Sequence, residues 1–597
     1  MKLSDYVADF IARQGITHVF VITGGASLHL IHSVADHPKL THICPHHEQS
    51  AAMAADAYAR TTGNLGAAIT TSGPGATNLI TGICSAYYDS VPVLYITGQV
   101  ASFRNKGDTG VRQIGFQETE IVSMVESITN HAVQVTDPKR IRYELERAVY
   151  KSRIGRPGPV LVDIPDDIQR MEIDPAALEG FTPPQEKKND LVKTPADWAS
   201  QAADLIASAQ RPVMILGWGV RLAKAEAAIK ELNKKLNFPV LLTWAVADLL
   251  PAEDKNSLGT FGTHGTRFAN FALQNADLVL SIGCRLDTKA TGSPPETFAR
   301  GAKKIMVEID QTEIKKFDRL NVKIDVQVCM DAALAVPQLM TALAKHQTQR
   351  YAEWYTHIRE WENKYPTVEP EYAQEKNINP YVLMEKMAQL LPDYTHIYSD
   401  TGCALAWAMQ TMRFKPNQRF FHAFNNTPMG WALPAAIGGY YAAPDKPIIC
   451  LAGDGGFMMN IQELATAAFN KIPVKIFIIN NGGYAMIRQT QDQWLGGKYI
   501  ASAPVGGLGM PDFSDVARAF GFSTVVQART HTDIDAAMAE MLAASGPAFC
   551  EVFVDAAHKV LPQVKFGRPL EDSDPLLPRD EFNRCMLVDP LPASAAA

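Results

Sequence analysis

A hard cation and a diphosphate are what the triplet Gly453-Asp454-Gly455 and the pair Asn480-Asn481 are equipped to hold between them. An apolar strand over Pro447 to Ala452 runs into the triplet, so the turn exposes a carboxylate oxygen of Asp454. A second strand, Val474 to Asn480, delivers the side-chain oxygen of Asn481. Mg²⁺ takes such oxygens together with those of ligand phosphates. Between the two strands, Met458 to Asn470 reads as a helix whose free N–H groups would favour an anion. A Gly-Asp-Gly triplet alone is usually only a turn, and it is the second strand with its asparagines that makes a clamp. Far upstream, Glu48 stands alone at the turn opening the helical period Gln49 to Thr62. His29 and His32 share one helical face but lack a third ligand, so zinc is not expected there. One of them facing a cleft would handle protons.

The elements needed to position these groups are those of α/β units. Short apolar runs at His18 to Ile22, Ala67 to Thr70, Val91 to Thr97 and Pro159 to Asp163 alternate with helical periods, the pattern of a parallel sheet covered by helices. Pro183-Pro184 and the charged stretch Glu186 to Asp190 read as a solvated linker. A second unit follows with strands at Pro212 to Leu216, Pro239 to Thr243, Leu278 to Ile282 and Lys304 to Glu308, and His346 to Arg350 is the next break. The third carries the clamp and a further strand at Ala548 to Val554. Three tandem parallel-sheet α/β domains are therefore expected, over 1–180, 191–345 and 360–560. A proline-rich tail, 561–597, is expected to wrap a surface or an active-site mouth, and Ala593 to Ala597 to be disordered.

A chain of 597 residues exceeds what one core supports. Its net charge of −7 offers no basic footprint for nucleic acid. The eight cysteines form no C-x-x-C and read as reduced, buried thiols. No apolar run reaches the roughly 18 residues of a membrane span, and the N-terminus opens on an amphipathic helix with Asp5 and Asp9, unlike a signal peptide. A cytoplasmic protein is expected, with no membrane or nucleic-acid partner.

Several ordered blocks resemble the thiamine diphosphate enzymes, and in particular the acetohydroxyacid (acetolactate) synthase family, over nearly the whole chain. They are His47-Glu48-Gln49-Ser50-Ala51-Ala52, Thr71 to Asn78 (TSGPGATN), Phe116-Gln117-Glu118-Thr119, Gly155-Arg156-Pro157-Gly158-Pro159, and the clamp triplet with Gln462-Glu463-Leu464-Ala465-Thr466. The resemblance implies the order pyrimidine-binding, central flavin-type and diphosphate-binding domain. It implies that Glu48 hydrogen-bonds the aminopyrimidine ring and drives its proton-accepting tautomer. Met429, in Pro428-Met429-Gly430-Trp431, matches the apolar wedge that keeps the cofactor bent. Asp454 and Asn481 take the Mg²⁺ ligand roles with a carbonyl near Gly483, and Gly453 and Gly455 flank the clamp. Gly25, in the turn Gly24-Gly25, and Gln117 match groups near the reacting carbon, with His29 a candidate proton handler.

Gly402-Cys403-Ala404 lies where the family has a Gly-Gln-His turn against the phosphates. Contacts there are expected mainly from backbone N–H groups. In the central domain Gly217, Gly219, Thr243, Arg285 and Asp310 match segments lining an extended FAD: glycine turns admit a dinucleotide, Arg285 pairs with its diphosphate and Asp310 holds a hydroxyl. The flavin is expected to be bound without a redox part in turnover. A homodimer or homotetramer with active sites between subunits is also implied.

Where synthases grip the second 2-ketoacid with tryptophan, arginine and methionine, this chain has Thr490, Lys289 and Thr263, and Asp166 replaces a lysine. His46 replaces an arginine. A wider pocket with a weaker carboxylate clamp points to another acceptor. The expected activity is thus decarboxylation of pyruvate and transfer of its two-carbon acetyl unit to an aldehyde or ketone, giving a 2-hydroxyketone. The nearest likeness is to carboligases of the branched-sugar (yersiniose) type, which Leu570 to Arg579 also resembles. The alternatives are an acetolactate synthase that condenses two 2-ketoacids, a flavin-dependent pyruvate oxidase, and a non-catalytic regulatory paralogue. Retention of Glu48, Met429, Asp454 and Asn481 together speaks against the last.

Overall fold

A computed structural model describes residues 1–184, 193–345 and 351–595. The linker expected at 186–190 and the break at 346–350 lie outside them. Two compact units form: Met1–Glu186 with Thr395–Ala404 and Phe421–Phe553, and Lys187–Tyr394 with Leu405–Phe420 and Val554–Ala597.

Three six-stranded sheets make the frame. The first joins β1 (His18–Val21), β2 (Thr41–Ile43), β3 (Gly66–Thr70), β4 (Val93–Gln99), β5 (His131–Gln134) and β6 (Val160–Pro165) in the order β2-β1-β3-β4-β6-β5, all parallel. The second unit contains β7 (Pro212–Leu216), β8 (Val240–Leu242), β9 (Ser257–Thr260), β10 (Leu278–Ile282), β11 (Lys303–Glu308) and β12 (Val326–Cys329), ordered β12-β11-β10-β7-β8-β9. The third sheet is built from β13 (His396–Ser399), β14 (Arg419–Phe421), β15 (Ile448–Gly453), β16 (Lys475–Asn480), β17 (Thr524–Ala528) and β18 (Ala548–Phe553), ordered β14-β13-β15-β16-β18-β17. The central strands β3, β4, β7, β10 and β15 are buried along nearly their whole length, which is why they read as unbroken apolar runs.

In the first unit the helix Glu48–Thr62 lies against Ala432–Ala442. The first is rich in alanine and the second in alanine and glycine, so their backbones meet closely: a Cβ on Gly438 would collide with the carbonyl of Ala54. On another side of the first helix, a Cβ on Gly82, in the helix Ile80–Tyr88, would collide with the methyl of Ala52. A buried ion network crosses this contact. Arg60 donates to Asp56 at 3.1 Å and to Asp89 at 2.7 Å, and Trp431 Nε1 donates to Asp56 at 2.9 Å. Each charge there has a partner, which is the condition for tolerating it inside.

Three expectations change. The helix expected over Met458 to Asn470 starts earlier and is broken: a short helix Asp454–Phe457, a 3-10 turn Met458–Asn460 and a helix Glu463–Phe469. The close passage of Gly455 by the Tyr484 ring and of Gly456 by the Asp400 carboxylate starts the helical turn at Asp454, and Asn460 bends the chain by donating to Gly430 O at 2.7 Å. The tail is more than a wrapping: Leu570 and Phe582 join the core of the second unit, Arg267 donates to Ser573 O and Pro575 O, and Glu571 accepts from Gln274 and Arg300. Its end is also ordered through Pro592–Ala595, with Ser594 O accepting from Arg579. Finally, all eight cysteines are free, but Cys44 is exposed and Cys84 and Cys329 are only half-buried. No helix among the described residues is long and apolar enough to cross a membrane.

Candidate active site

At the C-terminal end of the third sheet, β15 and β16 are neighbours, with Gly453 registered against Ile479. This pairing sets Asp454 beside Asn481. Asp454 is buried, with Oδ1 accepting from Gly455 N at 2.7 Å and Oδ2 from Gly483 N at 2.8 Å and Asn481 N at 3.2 Å. At the start of the helix Asp454–Phe457, Gly455 N is thus engaged by the carboxylate itself. Burial pushes Asp454 up to about 6, against those three N–H groups and the nearby Arg488, which pull it down. A buried carboxylate beside an amide oxygen, with Gly483 at φ +136°, is a donor set suited to a hard cation.

The wall of this clamp is Gly402-Cys403-Ala404. Gly402 has φ +92°, a conformation that disfavours side chains, and Cys403 is buried, its thiol pushed up to about 12 by desolvation. Neither Cys403 nor Ala404 offers a strong side-chain donor. Sequence reasoning missed the group that does: Arg488, on the helix Ala485–Leu495, donates from Nη2 to Asn481 O at 2.9 Å and to Asn481 Oδ1 at 3.3 Å. Its signal was an arginine seven residues after Asn481, which in isolation looks like any exposed helix charge.

Met429 is half-buried in a segment pinned at many points. Phe424 N and Asn425 N donate to Asp89, and Gly430 N donates to Asp400 Oδ2 at 2.8 Å. Asp400 is buried and pushed up to about 7 by desolvation, while the N–H groups of Thr401, Gly430, Trp431 and Ala432 pull it back. Asp400 thus anchors the turn that carries Met429, another role that no local pattern announces.

A second cluster gathers at the ends of β1 and β3. Glu48 is the first residue of its helix, with His47 as cap. Its Oε2 accepts from Asn78 Nδ2 at 2.9 Å, and a Cβ on Gly75 would sit 3.5 Å from Oε1. Gln117, at φ +64°, packs its backbone and Cβ against Gly73, so that a Cβ there would have only about 3.0 Å. Gly24 is pressed on Thr71, whose hydroxyl accepts from Ala26 N at 3.2 Å, while Gly25 has open space. His29 is half-exposed and lowered by desolvation and then by Lys2 and Arg170. His46 donates its backbone N–H to Glu463 at 3.0 Å. Among the described residues no group of three metal-ligating side chains forms around His29 and His32 or elsewhere. No hydrogen bond among them joins Glu48 to Met429, Asp454 or Asn481.

In the second unit Gly217 and Gly219, after β7, pass so close to Gly283, after β10, that a Cβ on either would strike its backbone. Thr243 has a buried hydroxyl with no partner among the described residues. Arg285 stands 3.5 Å from both Asp287 and Glu313, and Asp310 caps Gln311–Arg319 by accepting from Thr312 N. Thr263 N donates to Lys289 O at 2.8 Å, and Lys289 Nζ lies 5.4 Å over the Trp244 ring. In the first unit Thr490 Oγ1 bonds back to Met486 O at 3.1 Å.

Three family profiles match the chain: the N-terminal TPP binding domain of thiamine pyrophosphate enzymes over residues 1–124, their central domain over 199–339 and their C-terminal TPP binding domain over 400–552. Among curated relatives, the acetolactate synthase large subunit of Parasynechococcus marenigrum is 36% identical over 575 residues, 94% of this chain and 88% of the relative. That of Porphyra purpurea is 34% identical, covering 94% and 93%, and the isozyme 1 large subunit of Escherichia coli K12 is 33% identical, covering 94% and 96%. With a buried oxygen clamp on one sheet, a carboxylate-headed helix on another and full-length likeness to these subunits, the chain belongs to the thiamine pyrophosphate enzymes, as an enzyme of the acetolactate synthase-like kind.

Proposed function

We propose that this enzyme decarboxylates pyruvate and joins the remaining two-carbon unit to a carbonyl acceptor, with thiamine diphosphate and Mg²⁺ as resident groups. The observation that supports it most directly is the pairing of Asp454 with Asn481 on adjacent strands, both buried. Thiamine diphosphate supplies the electron sink for loss of CO₂ and for the new carbon–carbon bond. The chain supplies the rest. Asp454, Asn481 and a carbonyl near Gly483 hold the cation. Glu48, fixed by Asn78, accepts a hydrogen bond from the pyrimidine ring and sets its tautomer, and Met429 keeps the two rings in a bend. Gln117 and Gly25 shape the donor side, with His29 as a candidate proton handler. Because Glu48 and the clamp form separate groups within one chain, the complete site is read as lying between two copies, in a homodimer or homotetramer. FAD is read as a structural guest of the second unit, against Gly217, Gly219, Thr243, Arg285 and Asp310, in a cytoplasmic protein.

For the acceptor, the full-length relatives, all named acetolactate synthases, favour a second pyruvate. One observation favours an aldehyde or ketone instead: Asp166, at the start of a helical turn, has a buried Oδ1 without a partner among the described residues. A lone acidic oxygen there repels a carboxylate rather than gripping it. Product analysis after incubation with thiamine diphosphate, Mg²⁺ and pyruvate, with and without a panel of ketones and aldehydes, decides between them. Acetolactate unaffected by added ketones establishes the synthase. Tertiary-alcohol adducts establish the ketone carboligase, and neither product overturns the proposal. Oxygen uptake with bleaching of the flavin would instead identify a pyruvate oxidase.

A further inference from the structure

Beside the clamp lies a cation that nothing above uses. Arg488 is 7% exposed, yet all its described hydrogen bonds leave from one nitrogen, Nη2, to Asn481. Nε is buried with no partner, and Nη1 makes no hydrogen bond among the described residues. A buried guanidinium whose Nε–H has no acceptor is costly, because a desolvated N–H wants one. The groups around it are specific: its charge acts on Asp454 and on Cys403 as well as touching Asn481. Arg488 therefore stands among the two candidate cation ligands and the Gly402-Cys403-Ala404 wall. That wall is where side-chain donors to a diphosphate are missing.

The geometry points to Arg488 as the side chain that binds the diphosphate of the cofactor, supplying from the helix Ala485–Leu495 the donors that Cys403 and Ala404 lack. The inference rests on the reading that thiamine diphosphate occupies this clamp. Nε and Nη1 lie on separate edges of one planar guanidinium and offer fixed donor directions to phosphate oxygens, which a lysine does not provide. With Nη2 held on Asn481, the guanidinium is oriented before the ligand arrives, so little side-chain freedom is lost on binding. The loaded clamp would then carry two cations, Mg²⁺ and Arg488. The positive charge is then shared between a removable ion and a fixed one.

The test is equilibrium binding to the full-length protein, followed by intrinsic fluorescence, with thiamine diphosphate and inorganic pyrophosphate as probes at fixed Mg²⁺. Arg488→Met is expected to weaken both probes by about ten- to hundredfold, the scale of a lost charge-assisted pair. Arg488→Lys, a point charge in place of a fork, is expected to recover part of that loss. A Mg²⁺ titration separates a prop from a ligand-binding group: a group that only supports the Asn481 turn weakens binding through the cation, and excess Mg²⁺ restores the affinity, whereas loss of a direct contact to the diphosphate persists at saturating Mg²⁺. Unchanged affinity for both probes in Arg488→Met overturns the inference. Absence of thiamine diphosphate binding by the unaltered protein overturns the functional reading instead. Should Arg488→Met fail to fold, Arg488→Gln, neutral but able to reach Asn481, is judged by the same two outcomes.

Discussion

The C-terminal ends of two sheets in this chain are built alike and equipped differently. In the third sheet, Gly453 ends β15 and the chain turns straight into Asp454, which with Asn481 and Arg488 makes a buried group of charges and amides. In the second sheet, Gly217 follows β7 and Gly283 follows β10, and what meets there is backbone against backbone. Charged neighbours such as Arg285 and Asp310 are only half-buried. One end is organised by electrostatics in a dry environment and the other by close approach. Parallel sheets place their helix-facing turns at this end in both cases, so the difference lies in side chains rather than topology. A site that must hold a divalent cation and a diphosphate needs buried countercharge, whereas one that lines an extended ligand needs room along the backbone.

Four substitutions would break or sharpen this contrast. The largest effect belongs to Glu48→Gln, expected to lower product formation on the order of 10²–10⁴-fold, the range for a lost proton-transfer group. Cofactor affinity measured by fluorescence should stay near that of the unaltered protein, and an unchanged turnover would remove Glu48 from the chemistry. Next, Asp454→Asn keeps the shape and removes the charge. Mg²⁺-dependent thiamine diphosphate binding, read by titration calorimetry, should weaken on the order of a hundredfold or more, as for a broken buried pair. If binding survives, the clamp is not organised by charge. Gly217→Ala attacks the other end: the new methyl meets Gly283 and Cys284. Overpacking of this kind costs about 1–3 kcal/mol, so the melting temperature should fall by a few degrees and any flavin content with it, while thiamine diphosphate binding holds.

The smallest effect is a pH dependence in the first sheet. Asp163 is buried and pushed up to about 6 by desolvation, although it accepts from Thr97, Gln99 and Gln134. A carboxyl whose folded pKa is raised favours folding most below its unfolded value, near 4, and that contribution fades as pH rises through 6. Asp163→Asn, without the titration, should therefore show a flatter stability profile between pH 4 and 7 in thermal unfolding. Parallel profiles for the two proteins would show that Asp163 titrates elsewhere.

The sheets were legible in the sequence because strands buried on both faces leave unbroken apolar runs: Pro212–Leu216 and Leu278–Ile282 are read to the residue. The broken helix after Asp454 was not, since Asn460 bends it by donating to Gly430 O, thirty residues away along the chain. The tail misled for a related reason. Its prolines spoke of a loop, while Leu570 and Phe582 found a core supplied by the second unit. In the site, Glu48, Asp454 and Asn481 stood out through residue type and ordered blocks. Arg488 and Asp400 did not, and Asn78 stood in a block without a role of its own, because each acts through a partner that only the fold brings near. Charge type is a local property of a sequence, and the satisfaction of that charge is not.

The alanine and glycine seam between Glu48–Thr62 and Ala432–Ala442 has an evolutionary consequence. Glu48 heads one of these helices and the Met429 turn leads into the other, so the seam ties the two together. Where Ala54 meets Gly438, almost any replacement is larger than the residue it replaces. A saturation scan should find this seam nearly closed to change, while positions 166, 263, 289 and 490 stay open. New activities would then enter such a chain from the acceptor side, onto a cofactor frame with little freedom to drift.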